Sequence, residues 1–125
     1  MSGLTLDVGA LIAVEKGNRA VLVTLQEALA EEAGITIPAG ALAQVWRGGA
    51  RQARLASLLA VEGVEVEPLD HRTARRAGEL CGATRTRDVI DAAVVVGAKS
   101  RGDVILTSDV DELRRLDSAV ELVAV

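Results

Sequence analysis

Two carboxylates three residues apart open an almost wholly aliphatic stretch of this chain, Asp88-Val89-Ile90-Asp91-Ala92-Ala93-Val94-Val95-Val96-Gly97. The segment reads as a buried helix, and residues three apart share a helix face, so Asp88 and Asp91 can point at one spot. Asp88 alone is an ordinary N-cap, where a carboxylate satisfies free amides and meets the positive end of the helix dipole. Asp91 is followed by five aliphatic residues and belongs on or beside the buried stripe, where an uncompensated carboxylate is costly. Two further aspartates stand where a strand runs into a helix: Asp7 after Leu4-Thr5-Leu6, and Asp109 after Val104-Ile105-Leu106-Thr107-Ser108. If these strands are neighbours, Asp7, Asp88, Asp91 and Asp109 meet at one end of a sheet. Hard cations such as Mg²⁺ take oxygen ligands, often a few carboxylates plus water. Such an ion activates water, orients a phosphodiester and stabilises the charge of an in-line displacement.

The elements that position these acids follow from periodicity and breakers. The strand Leu4 to Asp7 opens into an aliphatic helix, Val8 to Lys16, ended by Gly17. Asn18 suits the N-cap of a second helix reaching Glu32, with Val21, Leu22, Leu25, Ala28 and Leu29 as its apolar stripe. Ile35-Thr36-Ile37 is a second strand, and Pro38 suits the first turn of a third helix. That helix, Ala39 to Arg47, carries Gln44 and Trp46 and is broken by Gly48-Gly49. A fourth helix follows, with Ala53, Leu55, Ala56, Leu58 and Leu59 as apolar positions. The alternation of Val64-Glu65-Val66-Glu67 marks a strand at a sheet edge. Asp70 starts a helix running to about Cys81, and Gly82 to Arg87 reads as a loop bearing Arg85 and Arg87. Val104 to Thr107 is a fourth strand, a short helix turns off its end, and Ala119 to Val125 is the last strand. This alternation predicts an α/β fold: a central parallel sheet of about five strands with helices on both faces, its ligand just outside the strands' carboxyl ends.

At 125 residues, half of them hydrophobic, the chain forms one domain over 1–125 with a real core. No apolar run is long enough to span a bilayer and no basic segment leads a signal peptide, so a cytoplasmic protein with no membrane partner is expected. The single Cys81 cannot form an internal disulfide and reads as a small buried residue, while His71 reads as a surface residue after Asp70. One histidine and one cysteine exclude zinc sites built mainly from those residues. The net charge of −4 argues at first against a nucleic-acid partner. Yet arginines gather at 47, 51 and 54 and again at 72, 75, 76, 85 and 87, and a bound cation would offset the acids of the site. The balance is compatible with RNA.

Four short motifs, in order, resemble those of PIN domains: Leu6-Asp7-Val8-Gly9-Ala10-Leu11-Ile12-Ala13, Ala43-Gln44-Val45-Trp46-Arg47, Asp88-Val89-Ile90-Asp91-Ala92-Ala93-Val94, and Leu106-Thr107-Ser108-Asp109. More narrowly, they are similar to the VapC toxins of bacterial VapBC toxin–antitoxin pairs, over essentially the whole chain. The resemblance implies a three-layer PIN fold and a Mg²⁺- or Mn²⁺-dependent endoribonuclease that is usually dimeric. It also implies inhibition by a VapB-type antitoxin whose C-terminal segment wraps the toxin. By this resemblance the metal falls to Asp7, Asp91 and Asp109, with Asp88 and Asp111 as auxiliary acids. Arg85 and Arg87, in the arginine-bearing loop before Asp88, are candidate RNA contacts by their charge alone. The family's second acid, a glutamate on the third helix, is here Gln44. Glutamine keeps an acceptor oxygen but drops a full charge, so it either still orients a water or marks weakened catalysis.

Two other readings compete. A phosphatase using Asp7 as nucleophile wants a second acid two residues on, where this chain has Gly9, and a phospho-acceptor fold wants a late-strand lysine where it has Thr107-Ser108. A PIN fold that binds antitoxin or RNA without cutting is the alternative that Gln44 favours. For partners, Trp46 with Leu55, Leu58 and Leu59 exceeds what one helical layer needs to bury, which predicts a homodimer and an antitoxin groove on the first half of the chain.

Overall fold

A computed structural model describes residues 2–125. Five parallel strands, β1 (Leu4–Leu6), β2 (Ile35–Pro38), β3 (Val64–Glu67), β4 (Val104–Thr107) and β5 (Leu122–Ala124), form one sheet in the order β3-β2-β1-β4-β5. The helices are α1 (Val8–Glu15), α2 (Arg19–Ala30), α3 (Ala39–Val45), α4 (Ala53–Leu59), α5 (His71–Thr84), α6 (Val89–Arg101) and α7 (Val110–Leu116). They cover both faces in the three-layer arrangement of a PIN-like α/β/α fold, with α2, α3 and α4 gathered on α1, and α5 and α7 on α6.

The register decides whether the strands that deliver the acids are neighbours. Leu4, Thr5 and Leu6 pair directly with Val104, Ile105 and Leu106. β1 and β4 are therefore adjacent, and the aspartates that follow them leave the same end of the sheet. Leu6, Ile35, Ile37, Ile105 and Leu106 are buried between the layers. Ala92, Ala93, Val94, Val95 and Ala98 of α6 are buried against them, so the aliphatic helix is the central one of its layer. Among the described residues, no helix is long and apolar enough to cross a membrane.

A polar staple fixes the far end of α6. Arg101 donates to Thr5 Oγ1 and to Asp103 Oδ2, each at 2.9 Å, and pairs with Glu67; the buried Thr5 hydroxyl donates to the same Asp103 oxygen. Gly97 leaves room for Glu67, since a Cβ there would overlap that carboxylate. The staple sets how α6 lies on β1, and therefore where its other end presents Asp91.

Several boundaries differ from expectation. α3 stops at Val45, because Gln52 clamps the chain beyond it: its side-chain oxygen accepts from the N–H groups of Arg47 and Gly48, and its amide donates to the Val45 carbonyl. α5 continues three residues past Cys81, to Thr84, and Arg85 ends it in the left-handed region (φ 58°) where glycine is usual. The last strand shortens to Leu122–Ala124, because Asp117 and Arg114 tie residues 118–120 into a turn. Leu55 and Leu58 do not form a surplus apolar patch. Both are buried in the core and Leu59 packs against it, leaving Trp46, 38% exposed, as the part of that set still facing solvent. Cys81 is buried and His71 exposed, as expected.

Candidate functional site

Three of the four acids stand at helix caps and the fourth lies one turn in, each for a local reason. Asp7 caps α1, its carboxylate accepting from the Ala10 N–H at 2.9 Å, and it is almost fully buried at 3% exposure. Asp88 caps α6 by accepting from the Asp91 N–H at 2.9 Å, and Asp91 sits one turn in, half-buried. Asp109 occupies the cap position of α7; its own N–H donates to Thr107 Oγ1 at 2.8 Å.

Asp91 and Asp7 feel the other acids. Burial pushes the Asp91 carboxyl up to about 7, helped by the charge and hydrogen bonding of Asp88 and then by the charges of Asp7 and Asp109. Asp7 is also raised, chiefly by burial, with Asp109 adding to it; the Thr107 hydroxyl and the Ala10 and Gly9 N–H groups act in the opposite direction. Among the described residues none of the four is in a salt bridge. Anionic charge thus accumulates at the carboxyl ends of β1 and β4 without a basic partner. The donors are carboxylate oxygens, with a threonine hydroxyl behind them, and no histidine or cysteine takes part. That set fits a hard divalent cation.

The acids are not drawn into a closed cage. Among the described residues no three acidic, histidine or cysteine side chains stand together at ligating spacing. Asp88 commits one oxygen to a helix amide, and Asp7 accepts from the Ala10 N–H with the Thr107 hydroxyl and the Gly9 N–H also beside it, so Asp7 is held in place by its own surroundings. Gln44 is exposed and makes no hydrogen bond to any of the four acids. It lines a groove of about 420 Å³ between α1 and α3 with Val8, Ile12, Val45, Arg47 and Arg51. Asp111 is exposed in the first turn of α7, and the carboxylates that raise Asp91 are Asp88, Asp7 and Asp109. Arg85 and Arg87 are exposed in the loop just before Asp88.

Two residues that hold the site are inconspicuous in the sequence. Thr107 is fully buried and links Asp7 to the Asp109 amide; its only signal is a hydroxyl two residues before an acid, the spacing of a side-chain-to-backbone turn. Gly9 lets the first turn of α1 lie against the β4–α7 turn. A Cβ there would come within 2.6 Å of Ser108 Cβ and overlap its hydroxyl. This explains why the position two after Asp7 carries no acid. Gly9→Ala forces those two turns apart, and we expect a loss of about 1–3 kcal/mol in urea unfolding. A variant as stable as the natural protein would show that the two turns relax freely.

The family model of the PIN domain matches residues 4–119. The chain belongs to the PIN domain family. No curated protein matches it in sequence, whereas solved structures match it in fold. A chain of the VapBC2 complex from Rickettsia felis bound to a promoter DNA fragment superposes with a TM-score of 0.71 at 17% identity, covering 98% of each chain. A chain of DNA-bound VapBC from Salmonella typhimurium gives 0.73 at 16% identity, covering 99% of this PIN domain and 98% of that chain. One of FitAcB from Neisseria gonorrhoeae gives 0.64 at 16% identity over 95% of each. At these identities the likeness is one of fold.

Proposed function

We propose that this PIN domain is a divalent-metal-dependent endoribonuclease, the toxin of a type II toxin–antitoxin pair, acting on RNA in the cytoplasm. Family membership supports a hydrolase acting on nucleic acid. The observation that carries the finer reading is the direct pairing of β1 with β4, which sends Asp7 and Asp109 off the same end of the sheet beside Asp88 and Asp91 at the start of α6. Among the described residues no salt bridge reaches any of the four, and the raised Asp91 carboxyl agrees with this crowding. Asp7, Asp91 and Asp109 would hold Mg²⁺ or Mn²⁺. When bound, such an ion lowers the pKa of water and stabilises charge at a phosphodiester. The chain's own part is orientation. The caps at Ala10 and Asp91 aim Asp7 and Asp88, while Thr107 fixes the backbone that presents Asp109. The test is cleavage of single-stranded RNA with Mg²⁺ or Mn²⁺, against EDTA and against Asp91→Asn. Cleavage that survives EDTA would sink the metal, and no cleavage under any condition would sink the enzyme.

Gln44 favours a second reading, a PIN fold that binds without cutting, because the neutral amide faces an open groove and bonds to no acid. Under the first reading Gln44→Glu adds charge near the cluster. It should tighten Mn²⁺ binding about 3–10-fold, a solvent-screened gain of roughly 1 kcal/mol, and lower metal-free stability. Calorimetric titration checks this; unchanged affinity and stability would place Gln44 outside the site.

The VapBC and FitAcB structures are complexes, which supports a VapB-type antitoxin as partner. The groove between α1 and α3, apolar at Val8, Ile12 and Val45 and lined also by Arg47, Arg51 and Glu15, is where we place its segment. With exposed Trp46 beside it, we retain a homodimer; monomers in light scattering at micromolar concentration would refute that.

A further inference from the structure

The loop that ends α5 and the outer face of α7 enclose a polar notch of about 310 Å³, lined by Thr84, Arg85, Thr86, Arg87, Glu112, Arg115 and Leu116. Three guanidinium groups reach it from two separate elements. Among the described residues Arg85 and Arg87 form no salt bridge, so their charge has no internal partner. Arg115 is held only by Glu112 one turn back, at 3.2 Å on an exposed surface, where such a pair is worth little. Thr86 Oγ1 accepts from the Asp88 N–H at 3.3 Å, which leaves its proton to donate outward. α5 runs on to Thr84 and then turns through Arg85 in the left-handed conformation, which brings the arginines of this loop to the notch rather than back along α5.

The location decides what such a notch binds. Arg87 immediately precedes Asp88, and Glu112 and Arg115 lie on the helix that Asp109 begins. The cationic notch thus adjoins the start of α6 and runs along the helix that Asp109 precedes. Guanidinium forks match the paired oxygens of a phosphate, and a strand drawn across the acids carries phosphates on both sides of the reacting one.

We infer that this notch is a backbone-phosphate subsite for RNA, seating a phosphodiester next to the one placed at the acids, with Glu112 as the internal carboxylate that occupies Arg115 until the phosphate displaces it. The inference rests on the nuclease reading for its substrate, but its test does not need cleavage. Arg85, Arg87 and Arg115 are binding residues here, and Glu112 is a competitor. Removing a cation weakens binding and flattens its salt dependence, whereas removing the competitor strengthens binding.

The experiment is fluorescence anisotropy of a short single-stranded RNA in EDTA, from 50 to 300 mM KCl, with the natural protein, Arg115→Ala, Arg85→Ala/Arg87→Ala and Glu112→Gln. For every phosphate that loses its arginine, the slope of log K against log salt should shrink by about 0.7. Arg115→Ala should bind about 5–10-fold more weakly at low salt and the double variant about 30-fold, while Glu112→Gln binds about 3-fold more tightly. Inorganic phosphate is the second probe: competition at low millimolar levels would make the notch a general anion site and overturn the assignment to RNA. Unchanged slopes in all three variants would also overturn it, even if the protein cleaves RNA. Changed slopes in a protein that never cleaves would keep the subsite and reject the nuclease.

Discussion

Asp91→Asn is expected to abolish most RNA cleavage and, in metal-free buffer at neutral pH, to make the fold more stable. The two effects have one cause. Burial and three neighbouring aspartates hold the Asp91 carboxyl near 7 against an ordinary 3.8. Between those values the folded chain keeps a proton that the unfolded chain has released. Stability therefore falls as pH rises from about 4 to about 7, and above that the ionised carboxylate imposes its full penalty. Asparagine never ionises, so its advantage is absent near pH 4, grows through this window and is largest above pH 7. Because Asp91 is only half-buried, the penalty is discounted for solvent to about 1–2 kcal/mol, or roughly 3–6 °C in Tm for a chain of this size. Millimolar Mn²⁺ reverses the ranking, since a ligand that binds only the folded state stabilises by mass action and the variant has lost a donor. Cleavage should drop about 10²–10³-fold, corresponding to roughly 3–4 kcal/mol of charge stabilisation lost. Urea unfolding in EDTA at pH 4.5 and pH 8, repeated with Mn²⁺, checks the sign. An Asn variant no more stable than the natural protein at pH 8 would mean that Asp91 ionises there without strain.

How far the sequence carries depends on the range of the interaction being read. Asp7, Asp88 and Asp70 are helix caps whose partner lies three residues ahead, so the type and spacing of nearby residues reveal them. The buried stripe of α6 is equally local. The pairing of β1 with β4 spans about a hundred residues, and strand–helix alternation narrows it without deciding it. Leu55 and Leu58 show the other limit: their helix is legible, but whether it meets the core or a partner depends on how it sits against α1. Gly82 looks like a helix end, which puts Arg85 in a loop. The chain instead carries α5 past that glycine and turns at an arginine, against the local preference. Gln44 matches a family position by order alone, whereas its place on the α1–α3 groove depends on how α3 packs on α1, a contact between distant parts of the chain. Thr107 is hidden because its hydroxyl serves two partners from opposite ends of the chain.

Thr107→Val should remove both services at once while keeping the shape of the side chain. The hydroxyl accepts from the Asp109 N–H at 2.8 Å and lies beside the Asp7 carboxylate, whose proton affinity it holds down. Without it, a buried carboxylate and a partly buried amide each lose a partner, at about 1–3 kcal/mol for the first and less for the second. We expect unfolding stability to fall by about 2–3 kcal/mol in metal-free buffer. Cleavage should fall about 10–100-fold, the usual cost of losing a group that orients a metal-binding carboxylate. A merely structural role would predict the stability loss and nothing more. The pH–rate profile separates the two. With its hydroxyl partner gone, Asp7 holds its proton to higher pH, so the acidic limb of cleavage should move upward in the valine variant. Thr107→Ser retains the hydroxyl and should restore that limb and most of the rate, even if the lost methyl leaves a small packing defect. If valine shifts stability but leaves the acidic limb where it was, Thr107 supports the β4–α7 turn and does not tune Asp7.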